Sequence, residues 1–342
     1  MQENHTTLAE YIEKCLYSNE GFYTSQNAFG RTGSFVTAPM ISSLFGEIIG
    51  LFLINILNQN FPGKRVNIIE IGSGNGDLLE DLMQIFAKFP HASKQISFIS
   101  IDKSKRNIAY QQERFSSFNV SYCEDIFAVD FQQNPCIFIS NELLDAYPIN
   151  QYKYKNNQFE MHKISNKNGV FNSIWSTCDD LTEINKYFKY FPNLVLKNNS
   201  IIECSKSCIE DFERVCKVIN LNTGGLIYID YGYITNQFIS TIQAIQAHEK
   251  VDIFANPGKS DITHLVNFQL FHNIARNFIT NSTLSSITTQ GKFLVDTGIN
   301  HLAKKYIANN PHLEVNISQA VNRLINPMQM GDLFKFLLYF KW

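Results

Sequence analysis

Apolar residues recur at positions 41, 44, 45, 48, 49, 52, 53, 56 and 57. That is the i, i+3, i+4, i+7 stripe of an amphipathic helix, widened here by Leu51 and Ile54, so a broad buried face is expected. Glu47 and Asn55 fall inside the run and argue against a membrane span. The spacing then changes. Short apolar, largely β-branched runs at Val66–Ile71, Ile96–Ile101, Val120–Cys123, 136–139, 226–229 and Leu284–Thr289 predict strands. Helical patterns at 107–114, 207–220, Phe268–Phe278 and 300–307 lie among them. Strands and helices alternating at this spacing predict an α/β fold, a parallel sheet with helices on both faces.

Two regions break the alternation. From 151 to 175 the texture is that of antiparallel hairpins, with Asn156-Asn157 and Asn166-Lys-Asn-Gly169 as turns. Residues 151–220 are therefore expected to be an insertion ending in a helix. Near the N-terminus, a helix over 6–18, capped by Thr6 or Thr7, precedes an aperiodic stretch at 20–40 rich in Gly, Ser, Thr and aromatics. An irregular loop of that length inside a domain usually has a function. The expected organisation is an N-terminal helical and loop extension (1–60) and a main domain (61–342). The main domain carries the insertion at about 151–220 and a covering segment at about 233–268.

Composition narrows the function classes. A net charge of −2 over 342 residues lacks the clustered positive field of a nucleic-acid surface. The seven cysteines are scattered and read as reduced thiols; Cys204, Cys208 and Cys216 have no histidine beside them, so no metal site is expected. The first residues resemble neither a signal sequence nor an arginine-rich transit peptide. A cytoplasmic protein is expected, or a matrix protein should the source have mitochondria, with no integral membrane segment.

The chemistry concentrates where strands end. Val66–Ile71 runs into Glu70-Ile-Gly72-Ser-Gly74-Asn-Gly76-Asp77, and a helix follows. Glycines there let the backbone approach a ligand. A dinucleotide site uses G-x-G-x-x-G, with a pyrophosphate over the helix dipole. Here the spacing is G-x-G-x-G, and an acid two residues upstream suits a cationic ligand, the aminoacyl sulfonium end of S-adenosylmethionine. Glu70, Gly72, Gly74 and Gly76 are thus candidate cofactor residues. Asp102 ends the next strand and can accept ribose hydroxyls, unless it is an ordinary solvated acid. Asp125 could accept an adenine amino group while Ile126 packs on the ring.

The strand at 136–139 leads into Ser140-Asn141-Glu142-Leu-Leu-Asp145-Ala-Tyr-Pro148. Asn141 is placed at both cofactor and acceptor. Glu142 and Asp145 could hold an arginine guanidinium, whose fork of donors carries a permanent charge; alternatively Asp145 caps a helix and Glu142 is exposed. Asp230 and Tyr231 end the strand at 226–229. Asn256-Pro-Gly-Lys-Ser-Asp261-Ile-Thr-His264 gathers an acid and an imidazole, though Asp261 could equally cap a helix starting near Ile262. No G-x-S-x-G elbow supports a serine hydrolase.

Taken in order, several segments resemble the MidA-like class I methyltransferases: residues 30–47, 70–76, 141–148, 224–232, 256–264, 290–294 and 330–335. Mitochondrial members of that family are protein-arginine methyltransferases acting in assembly of respiratory complex I. The resemblance implies a Rossmann-like seven-stranded sheet, S-adenosyl-L-methionine as cofactor and a protein substrate, possibly a complex I subunit. It also implies a loop over the site, bringing in Gly33, Thr37 and Pro39. Ser34, Met40 and Asn267 stand where the family usually has acids. Two other readings stay open: a cofactor-binding assembly factor with little turnover, and an NAD-dependent oxidoreductase, which the glycine spacing disfavours.

Overall fold

The computed structural model describes residues 4–25, 37–131, 133–247 and 249–342. The chain divides into two compact units. One comprises 36–143, 213–232 and 275–342; the other comprises 1–35, 144–212 and 233–274.

The first unit is built on a sheet whose strands within this unit run Leu284–Thr289, Phe334–Lys341, Gly224–Tyr233, Cys136–Asn141, Val66–Ile71, Ile96–Ile101, Val120–Cys123. The five strands from Gly224–Tyr233 onward are mutually parallel, and the last two in the chain are antiparallel to their neighbours. Their near-continuous apolar runs reflect burial on both faces. Register places Ile71 opposite Ile101, Ile101 opposite Cys123, and Asn141 opposite Ile229. The residues just beyond these strands, Gly72, Asp102, Glu124 and Glu142, therefore share one edge, where ligands bind in parallel sheets.

The expected helix at 41–57 is instead two pieces, Ala38–Ile41 and Leu44–Asn60. Ser42 is extended (φ −163°, ψ 133°), which stops the first piece and lets the second start. Leu44–Asn60 buries Phe45, Ile48, Ile49, Leu53 and Leu57 in a core shared with Ile68, Ile137, Ile227 and Phe336. The strand Phe334–Lys341 and the helix Glu314–Ile325 had no counterpart in the periodicity reading.

The second unit carries an antiparallel sheet in the order Asn4–Thr7, Gln158–Lys167, Asn150–Lys155, Ile201–Cys204, with Val170–Thr177 also on Gln158–Lys167. Both expected hairpin turns are present. Asn156 and Asn157 (φ 49° and 62°) and Asn168 and Gly169 (φ 52° and 85°) form two-residue loops with both central residues left-handed, as the strand twist requires. Thr7 caps the helix Leu8–Tyr17 in a reciprocal arrangement with Glu10. This helix buries Leu8, Tyr11, Ile12 and Cys15 against Ile149, Ile164, Ala244 and Ile262.

Two expectations need correction here. Asp261 caps no helix: Asp261–Thr263 is a strand paired with Gln243–Gln246, which turns Ile262 into the core. Asp145 lies inside the short 3-10 turn Leu144–Ala146 and is buried there, so it is not a helix cap. No helix of the described residues is long and apolar enough to cross a membrane.

Candidate functional site

The glycine turn in the first unit leaves the sheet at Ile71. Gly72, Gly74 and Gly76 all have positive φ (73°, 54° and 81°). A Cβ on Gly72 would come 2.7 Å from Leu143, and one on Gly76 2.6 Å from the Phe115 ring. Both positions thus require glycine for conformation and for space. Asp102 Oδ2 accepts the Gly74 N–H at 2.9 Å, and Oδ1 accepts the Ser104 N–H at 2.8 Å. The Asn107 amide donates to both oxygens at 3.3 Å. Asp102 is therefore neither solvated nor idle, since it ties the second strand to the turn. Burial raises its carboxyl pKa, and these hydrogen bonds oppose the rise.

Glu70 is only 3% exposed, and its Oε2 has no hydrogen-bond partner among the described residues. Burial pushes its carboxyl well above the usual carboxylate range, and the charges of Asp77, Asp102 and Asp81 push the same way against a hydrogen bond from Ser73. A buried acid without a cation is costly, and a positively charged ligand would relieve it. The glycine cradle and this orphaned oxygen together fit the aminoacyl sulfonium end of S-adenosyl-L-methionine better than a pyrophosphate.

Next to it, the strand Cys136–Asn141 ends differently. Glu142 has φ +51°, a left-handed conformation uncommon for a side chain of that size. Its N–H donates to Ile229 O at 2.9 Å. Its Oε1 accepts the Asn141 amide at 3.1 Å and the Ala38 N–H at 3.3 Å. Thr37 and Pro39 flank Ala38 at the start of the helix Ala38–Ile41, so the structure brings the 37–39 segment to Glu142. Ser140 Oγ and Asn141 Oδ1 are buried without hydrogen-bond partners among the described residues. Asp230 is fully buried, with Oδ1 accepting the Tyr231 N–H, and the Tyr231 ring stacks edge-on to Phe334. Asp125 is exposed and accepts the Phe127 N–H at 2.8 Å, capping the turn Ile126–Ala128, in which Ile126 is buried.

In the second unit, Asp261 Oδ1 accepts the Tyr23 hydroxyl at 2.9 Å. Burial pushes that hydroxyl well above its ordinary pKa, and the nearby charges of Asp261 and Asp145 add to the effect. Tyr17 stacks on Tyr23 and donates to Ala146 O. Asp145 and Asp261 thus gather around Tyr23, a residue the aperiodic 20–40 stretch gave no reason to choose. His264 turns Nδ1 to Leu265 O, while Nε2 is buried without a partner among the described residues. Asn267 donates to Tyr187 and Asn236 and accepts the Leu270 N–H. A carboxylate could not make the two donations. Gly33 and Ser34 lie outside the described residues.

The family model described as "Putative S-adenosyl-L-methionine-dependent methyltransferase" matches residues 48–284, more than half of the chain. The chain belongs to this family. Its cofactor is S-adenosyl-L-methionine, and it is a methyltransferase. Among curated relatives, the Xenopus tropicalis protein arginine methyltransferase NDUFAF7, mitochondrial, is 25% identical over 96% of this chain and 81% of its own length. The Drosophila melanogaster homolog is 23% identical over 97% and 81%. A Burkholderia thailandensis protein crystallised with S-adenosyl-homocysteine shares the fold, with TM-score 0.83, 22% identity, and coverage of 98% of this chain and 88% of that one.

Proposed function

We propose that this family member transfers methyl to a protein arginine, with the glycine turn of residues 72–76, Glu70 and Asp102 as the cofactor seat. When bound, S-adenosyl-L-methionine supplies an electrophilic methyl on a sulfonium. What remains for the chain is to hold the acceptor nitrogen in line, and orientation alone can contribute roughly 7–11 kcal/mol. The observation that carries the arginine reading is the Glu142 carboxylate, fixed in a left-handed turn at the sheet edge by Asn141 and Ala38. A carboxylate so placed accepts the paired donors of a guanidinium and draws electron density onto the attacking nitrogen. Asp145, three residues on in the chain, is the second acid we assign to that role, and Asn141 positions Glu142.

The curated relatives named protein arginine methyltransferases support the reading. By the same analogy the substrate is a protein, and the family resemblance makes a respiratory complex I subunit the first to try. The compartment would be the cytoplasm in a bacterium or the matrix in a mitochondrion. Within the first unit, Thr37, Pro39, Asp230 and Tyr231 are proposed to meet the substrate.

The test is incubation with radiolabelled cofactor and an extract from cells lacking the protein, followed by hydrolysis of labelled bands. Label in methylarginine is expected. Label in another amino acid overturns the acceptor, and a blank gel with proven cofactor binding favours an assembly factor with little turnover.

A further inference from the structure

The helix Lys105–Arg114 is mostly exposed, yet it buries one residue completely, and that residue is polar: Gln111. Its Nε2 donates to Gly74 O at 2.8 Å, and its Oε1 accepts the Ser100 hydroxyl at 2.7 Å. Ser100, also fully buried, lies 3.0 Å from the Ser73 hydroxyl. The same helix places Asn107 on Asp102, Arg114 on Asn75 O at 2.8 Å, and Phe115 beneath Gly76. Positions 107, 111, 114 and 115 form one helical stripe, so a single face grips the turn from 74 to 76.

The physical consequence concerns direction. Three residues of positive φ can lie in many arrangements, and glycine permits most of them. A trans peptide points its C=O and N–H to opposite sides, so holding Gly74 O fixes the aim of the Asn75 N–H. An amide that donates with one atom and accepts with the other is the side chain that can bind a carbonyl and a hydroxyl at once. A hydrocarbon of the same length would leave the Gly74 carbonyl buried and unpaired.

We propose that Gln111 is a positioning residue for S-adenosyl-L-methionine: by clamping Gly74 O and Ser100 it holds the glycine turn in its binding-ready shape. The proposal rests on that turn being the cofactor seat. The test compares the wild type with Gln111→Met, which keeps the length and loses both hydrogen bonds. Calorimetric affinity for S-adenosyl-homocysteine should fall about tenfold, with faster amide exchange confined to residues 72–77. With any methyl acceptor found, KM for the cofactor should rise while saturated kcat stays near the wild-type value. The control is Ile299→Ala, a core truncation, which should lower the melting temperature without changing affinity. Gln111→Glu supplies conservative rescue: protonated, it can replace both hydrogen bonds, so its affinity should recover as pH falls. Equal affinity in Gln111→Met and wild type overturns the proposal, as does an equal loss in Ile299→Ala. Should Gln111→Met not fold, Ser100→Ala is measured instead, and unchanged affinity there has the same force. A wild type that binds no S-adenosyl-homocysteine removes the cofactor seat itself, a distinct failure.

Discussion

Two turns leave neighbouring strands of the same parallel sheet, and they are built in opposite ways. The turn after Val66–Ile71 takes its left-handed positions at glycines and has Asp102, Gln111 and Arg114 bonded to its backbone. The turn after Cys136–Asn141 puts a glutamate in the left-handed region and leaves Ser140 Oγ and Asn141 Oδ1 buried without partners among the described residues. Glycine suits a turn whose backbone meets the ligand. A side chain at positive φ is strained, and that cost of about 1–2 kcal/mol persists where the side chain itself is needed. On the function proposed above, the first turn receives the cofactor, and the second keeps polar groups and a carboxylate for the acceptor.

Replacing the reserved carboxylate should produce the largest effect. Glu142→Gln is expected to lower turnover by about 10²- to 10³-fold, the range seen when one transition-state partner is lost. Calorimetry should find S-adenosyl-homocysteine affinity unchanged; lost affinity would place Glu142 in the cofactor turn and dissolve the contrast. Gly76→Ala attacks the other side. With φ +81° and Phe115 in the way, it should weaken the cofactor by about 100-fold and lower stability by about 2 kcal/mol, read by titration and chemical unfolding. Asp102→Ala should cost about 1.5–3 kcal/mol of cofactor binding, as loss of a charged acceptor does.

Smaller effects test strain and burial. Glu142→Gly should abolish turnover yet raise unfolding stability by about 1 kcal/mol, because the left-handed penalty disappears. Asp81, one turn into the helix Asp77–Ala87, has Oδ2 buried without a hydrogen-bond partner among the described residues. Burial, with the charges of Glu47, Asp77 and Glu80, lifts its carboxyl from 3.8 to about 8 against the pull of Arg114. The folded chain then keeps a proton that the unfolded chain releases near 3.8, so stability is lost as pH rises between those values. Asp81→Asn should flatten that pH profile in thermal melts and stabilise the protein at neutral pH.

The contrast was only half legible in the sequence. Alternate glycines after a β-branched run announce the first turn, and the strands Val66–Ile71, Cys136–Asn141 and Gly224–Tyr233 were readable because burial on both faces leaves continuous apolar runs. Glu142 could be chosen by type and place, but not its φ. Gln111 could not be found at all, since a glutamine on a polar helix looks solvated and only the fold buries it. The strand Asn4–Thr7 was hidden for a related reason. It pairs with 163–166 through its backbone, which side-chain periodicity does not report. Three residues around Asp261 were too few to show a period, so loop and cap readings prevailed over a strand.

Where the cofactor sits decides most directly between these roles, and a crystal structure with S-adenosyl-homocysteine measures that. It should show the ligand against Gly72, Gly74 and Gly76, its amino group facing Glu70 and its ribose hydroxyls on Asp102. A ligand bound away from this turn, with Glu70 still sealed from it, would contradict the account.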